Sequence, residues 1–124
     1  MKEKIVSLGY ILENYKKYDV ILEHRQKKYM FGAKNYGEII GLKNFADGDR
    51  WDIFIPGYDF KLEIGKEIKI FKIIGFLYLT NGNHKIAVRI NTEGFNQQAC
   101  DLEISNYTRT YISKNKKTGM FIYL

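Results

Sequence analysis

The chain has 124 residues, 45% of them hydrophobic and 15% aromatic, which is enough for a packed core in one domain spanning 1–124 and too few for two. Its formal charge of +6 favours anionic partners, while the lone Cys100 excludes an internal disulfide and lacks a catalytic signature, so an inert thiol in a reducing, cytoplasmic compartment is expected. No apolar run approaches the roughly 18 residues that a membrane span needs, and the first one is broken by Ser7 and Gly9, so no membrane association is expected.

In chain order, the predicted strands are Tyr18 to Glu23, Arg50 to Ile55, Glu67 to Leu79, His84 to Ile90 and Thr118 to Leu124. All are rich in Ile, Phe, Tyr and Val, with Gly and Asn in the breaks between them. Within the second strand Trp51, Ile53 and Ile55 alternate with Asp52 and Phe54, so its two faces are used differently. Asn81-Gly82-Asn83 joins two apolar runs and reads as a hairpin turn, with Gly82 supplying a positive φ. One helix is predicted from Asp101 to about Lys114, capped by Asp101, with Ile104, Tyr107, Tyr111 and Ile112 on one side; Thr108 and Thr110 weaken it. So many strands would leave exposed edges, and a closed or partly closed small barrel removes them.

Three carboxylates, Asp47, Asp49 and Asp52, fall in the run Asp-Gly-Asp-Arg-Trp-Asp just ahead of Ile53-Phe54-Ile55. They repel one another, and a hard cation such as Mg²⁺ or Mn²⁺ would offset that repulsion. Asp47 and Asp49, two apart on an extended chain, share a face, while Asp52 enters at the start of the strand. A solvated acidic turn leading into a strand accounts for the same residues, because Asp and Gly are ordinary turn formers. Basic runs at Lys16-Lys17, Arg25 to Lys28 and Lys114 to Lys117 read equally as solubilising loops. No RNA-recognition, zinc-finger or helix-turn-helix signature accompanies them, so nucleic acid is not the expected partner.

From Tyr18 to Val88 the order of short motifs resembles a shortened family I (soluble) inorganic pyrophosphatase. The stations are Tyr18 to Glu23, Lys28-Tyr29-Met30, Asn35-Tyr36-Gly37, then Asp47-Gly48-Asp49-Arg50-Trp51-Asp52, and the strands either side of Thr80 to Lys85. The resemblance covers a little over half the chain, and Asp-Gly-Asp-x-x-Asp is its one specific motif. It implies a mainly β (α+β) fold: a small OB-like five-stranded barrel with one C-terminal helix and a site at one end. It also implies that Asp47 and Asp52 bind Mg²⁺, with Glu23 acting through outer-sphere waters and Asn83 a further ligand. Asp49 would be the base beside the attacking water, Tyr36 a hydroxyl donor near it, and Lys28, Lys85 and, more loosely, Lys114 phosphate ligands. Surface charge accounts equally for Glu23 and Lys28, and core packing for Tyr36. His84 is read as a satisfied surface histidine, though it can reach a phosphate.

The departures from the family pattern bear on activity. Met30 stands where the family has a Glu, a segment that normally carries an Arg and a Tyr is missing between Met30 and Asn35, and Asn81 and Asn83 replace acidic residues. Fewer metals should bind, and less strongly. Two expectations follow: a Mg²⁺-dependent hydrolase of pyrophosphate or a nucleotide phosphoanhydride, or a protein of the same fold that sequesters a phosphorylated nucleotide without a metal or cleavage. A homo-oligomer is left open.

Overall fold

Alternation along Trp51 to Ile55 sorts side chains into two separate cores, and the rest of the chain is arranged around that division. A computed structural model describes residues 2–24 and 29–124. Strand β1 (Lys4–Ile5), helix α1 (Leu8–Asn14) and a 3₁₀ turn (Tyr15–Lys17) lead into β2 (Asp19–Leu22), β3 (Tyr36–Lys43) and β4 (Arg50–Phe54). There follow β5 (Glu67–Lys69), β6 (Lys72–Leu79), β7 (Lys85–Arg89), helix α2 (Gln97–Asn115) and β8 (Gly119–Tyr123). The fold is therefore mixed α+β, mostly sheet, with one long helix.

The strands form one sheet in the order β5-β2-β3-β4-β7-β6-β8, with β1 parallel to the second half of β3. Its hydrogen-bonded ladder is open, ending at β5 and β8. The sheet nevertheless cannot be flat. Laid flat, β5 and β6 would stand five strand spacings apart, about 24 Å, yet only Ile70 and Phe71 separate them in the chain, a reach of at most about 11 Å. The expected single strand from Glu67 to Leu79 is thus two strands at distant places in the ladder, and the sheet curls to bring them together.

Trp51, Ile53 and Ile55 point into one cluster with Ile11, Val20, Leu22, Ile39, Ile86 and Val88. Phe54 points the other way, to Tyr36, Leu77 and Ala87, and α2 covers that face with Cys100, Ile104, Tyr107 and Tyr111. Tyr107 stacks on Phe54 with ring centroids 4.1 Å apart. Cys100 is fully buried, and burial pushes its thiol up to about 12, consistent with inertness. Gly37 permits the close approach of β2 to β3, since a Cβ there would stand 2.6 Å from the Ile21 carbonyl oxygen.

Further features depart from the sequence expectation. Helix α2 begins earlier than Asp101: Asn96 is its cap, accepting from the Ala99 amide at 2.8 Å. Strand β3 and helix α1 were not anticipated. β3 contains Gly37 and Gly41 and carries Glu38 among apolar neighbours, so its alternation is faint, and α1 is only 7 residues long. The 81–83 hairpin is as expected, with Gly82 at φ 84 and its amide donating to the Leu79 carbonyl. Among the described residues no helix is long and apolar enough to cross a membrane.

Glu103 on α2 lies with its Oε2 buried without a partner. Burial raises its carboxyl from 4.5 to about 7, against the opposing pull of the nearby Gly57 and Lys34 backbone. An acid raised in the folded state favours folding when protonated, so this contribution is full below pH 4.5 and is lost as pH rises through about 7. Glu103→Gln should therefore raise the melting temperature at about pH 8 and change it little at about pH 4. Thermal unfolding at both pH values checks this.

Candidate functional site

Register places three charged residues in a row across three neighbouring strands, with Glu23 beside them just past the end of β2. Glu38 of β3 is paired with Ile21 of β2 on one side and Asp52 of β4 on the other. Glu23 lies two residues beyond Ile21 and so shares its face, and its amide donates to the Tyr36 carbonyl at 3.1 Å. Ile53 pairs with Ile86 of the parallel β7, which sets Lys85 beside Asp52. Glu23, Glu38, Asp52 and Lys85 consequently lie together on the face that α2 partly covers, away from the interior cluster of Ile53 and Ile86.

Carboxylate oxygens of Glu23, Glu38 and Asp52 lie within 4.8 Å of one another. Like charges directly opposite across strands are unfavourable, and among the described residues Lys85 and Arg50 offset them. Lys85 Nζ donates to Asp52 Oδ2 at 2.8 Å and to Asn83 Oδ1 at 3.1 Å, in a pair whose side chains are only 7% and 10% exposed. Arg50 bridges Glu38 at 3.1 Å and Glu3 at 2.6 Å. Burial, and then Glu23, raise the Glu38 carboxyl above its ordinary value despite Arg50. The same field reaches Tyr111, raised first by burial and then by Asp52 and Asp47.

An open cavity of about 450 Å³ adjoins this row. Among the described residues its wall carries five carboxylates, Glu3, Glu38, Asp47, Asp49 and Asp52, against three cations, Lys43, Arg50 and Lys85, with Asn83 beside them. The Asp47 loop is tightly built: Asn44 donates its amide to the Asp49 carbonyl at 2.8 Å, and its side chain holds the Ala46 amide at 2.9 Å and the Gly82 carbonyl at 3.2 Å. Asp47 Oδ1 accepts from the Asp49 amide at 2.9 Å, the arrangement of an Asx turn. Both Asp47 and Asp49 remain exposed at the rim.

The donor chemistry fits a hard divalent cation. Three closely spaced carboxylates, two on paired strands and Glu23 just past β2, with no thiolate or imidazole among them, match the oxygen preference of Mg²⁺ or Mn²⁺. Among the described residues of the wall, carboxylates outnumber cations.

Asp47, Asp49, Asp52, Asn83 and Lys85 therefore meet around one cavity, and Glu23 meets Asp52 through the carboxylate cluster. Tyr36 does not line it. That side chain is 2% exposed in the α2-side core, its hydroxyl 3.4 Å from that of Tyr107. Asn35 is likewise structural, with its side chain bonded to the Phe60 carbonyl and the Leu62 amide. Lys114 is exposed in the last turn of α2 and is not part of the wall. Lys28 lies outside the described residues. His84 is not a plain surface residue: its Nδ1 accepts from the Leu79 amide at 3.0 Å and its ring stacks on Tyr78. Burial, and then Lys85, lower its pKa, so it serves the hairpin as a neutral ring.

Glu38, Arg50 and Glu3 escaped the sequence reading. Recognising residues 36–43 as a strand paired with Arg50 to Phe54 would have found Glu38, since period two then puts it opposite Asp52.

Removing Lys85 should expose the tension in the row. Lys85→Met removes one partner of a buried ion pair from Asp52, and should cost about 3 kcal/mol. Adding Asp52→Asn to that variant should recover most of the loss, and urea unfolding of the single and double variants measures both.

No protein-family model, curated protein or solved structure matches this chain.

Proposed function

We propose that the chain is a shortened, divergent relative of family I inorganic pyrophosphatases, and that its acidic cavity hydrolyses a phosphoanhydride, in pyrophosphate or a nucleotide, with Mg²⁺ or Mn²⁺. In this reading the curled sheet is an OB-like barrel of five strands, β2, β3, β4, β7 and the bent β5-β6 segment, with α2 as its C-terminal helix. The two-residue link between β5 and β6 supports the barrel. The observation that carries the function is the convergence of Glu23, Glu38 and Asp52 within 4.8 Å beside Asp47, Asp49 and Lys85.

Glu23, Glu38 and Asp52 would hold the cation, with Asp47 at the rim. A bound cation supplies neutralisation of phosphate oxygens and acidifies water. Asp49, exposed on the wall, is the proton acceptor for the attacking water. Lys85 offers phosphate a point charge from within the cluster. Tyr36 is a positioning residue, packed with Tyr107 behind Asp52. A cytoplasmic setting suits the single thiol.

A second reading rests on the Asp52 and Lys85 pair. There the ammonium, further held by Asn83, already does the work of a cation. Such a site would hold a phosphorylated nucleotide without metal and without cleaving it.

Phosphate release from pyrophosphate and nucleoside triphosphates, assayed with Mg²⁺ and with Mn²⁺, separates the two. The hydrolase reading expects release that stops on chelation, and a loss of at least about 10²-fold in turnover for Asp49→Asn with little change in ligand affinity. No release from any of these substrates, together with nucleotide binding that survives EDTA, would establish the second reading instead.

Protons should compete with the cation at Glu38. Because its carboxyl is raised above 4.5, acidification should begin to weaken Mg²⁺ binding at higher pH than at an ordinary carboxylate site, and Glu38→Gln should remove that early component. Calorimetric titration of Mg²⁺ across the acidic range checks it. An unchanged pH profile in the variant would exclude Glu38 as a ligand.

A further inference from the structure

The two ends of the sheet differ in how they meet solvent. At one end β5 has three residues, Glu67, Ile68 and Lys69, and Lys69 forms an ion pair with Asp19 at 2.9 Å. Charge and shortness are the usual protection of an edge. At the other end β8 reads Gly-Met-Phe-Ile-Tyr, with no charge, proline or bulge along five paired positions with β6. Its outer edge pairs with no strand among the described residues. Met120 is 62% exposed, and Tyr78, its partner across β6, is 44% exposed.

The phase of the free edge follows from the bonds on its paired side. The Leu124 amide donates to the Ile74 carbonyl and the Thr80 amide to the Thr118 carbonyl. Hydrogen-bonded pairs alternate along an antiparallel ladder, so Met120 and Ile122 also bond β6, while Gly119, Phe121 and Tyr123 turn their amides and carbonyls outward. Antiparallel pairing of β8 with a second β8 about Phe121 engages all three residues in both copies. It sets Gly119 opposite Tyr123, a small residue against a large one, and Met120 opposite Ile122. It also keeps the basic runs at Lys114 to Lys117 at opposite ends, whereas parallel pairing would place them side by side. On the α2 side a groove of about 500 Å³, walled by Ile104, Thr108, Phe121 and Tyr123 among others, opens beside the edge. The partner's Phe121 and Tyr123 project to that same face.

We infer that β8 is a self-association edge, and that two copies of this chain join through antiparallel β8 strands into one continuous sheet. The contact is isologous and consumes both free edges. Assembly therefore stops at the dimer.

Sedimentation velocity over a wide concentration range, with amide exchange followed by NMR, tests this. A monomer–dimer equilibrium is expected in which the Gly119, Phe121 and Tyr123 amides become protected on association, while those of Met120 and Ile122 are protected in both states. Met120→Lys, a change at an exposed side chain, should abolish the dimer at concentrations where the unaltered protein is dimeric. Leu102→Lys, equally exposed on α2, should leave it intact. A monomer at every concentration, or a dimer in which the amides of Gly119, Phe121 and Tyr123 still exchange freely, would overturn the inference.

Discussion

The direct opposition of Glu38 and Asp52 across β3 and β4 is the constraint around which the candidate site is organised. Sheet register forces two carboxylates side by side and brings Glu23 within reach of both. Such a row costs free energy unless cations answer it. Here the answer comes from two directions. Lys85 arrives on the next strand and closes on Asp52, while Arg50 reaches from β4 to Glu38 and onward to Glu3. What results is a block of carboxylates flanked by Arg50 on one side and Lys85 on the other, along a cavity wall where carboxylates outnumber cations among the described residues.

That row is held firmly because it is borne on strands whose opposite faces are buried. Residues adjacent to Asp52 and Lys85 in sequence, Ile53 and Ile86, are fully buried in the interior cluster. Two positions along, Phe54 and Ala87 are covered by Tyr107 and its neighbours on α2. The carboxylates thus have packed hydrophobic surface behind and beside them and solvent only in front. Burial on that scale raises the Glu38 carboxyl and makes the Asp52 and Lys85 pair expensive to break from one side. It also holds three carboxylates close together, which an acidic surface turn would not.

Much of this was legible in the chain. The Asp-Gly-Asp-Arg-Trp-Asp run marked the loop and the strand entry, and alternation from Trp51 to Ile55 marked a strand whose two faces are used differently. Asn81-Gly82-Asn83 marked the hairpin that carries Lys85. Glu38 was missed because β3 is interrupted by glycines whose reasons are tertiary: Gly37 makes room for the Ile21 carbonyl, and Gly41 adopts φ 92 beside a break in register. The split between β5 and β6 was missed because a continuous apolar run carries no mark of which partner each half will find. The pairing of Lys85 with Asp52 was out of reach for the same reason, since it depends on β7 lying parallel to β4.

Mn²⁺ titration followed by NMR of the side-chain carboxyl carbons tests the central claim most directly, because paramagnetic broadening reports distance to the ion without any assay of turnover. The account predicts that Glu23, Glu38 and Asp52 broaden first and together, at Mn²⁺ levels that leave Asp101, ten residues along α2 from Tyr111, sharp. Uniform broadening of exposed acidic residues, with the three clustered carboxyls no more sensitive than the rest, would contradict it.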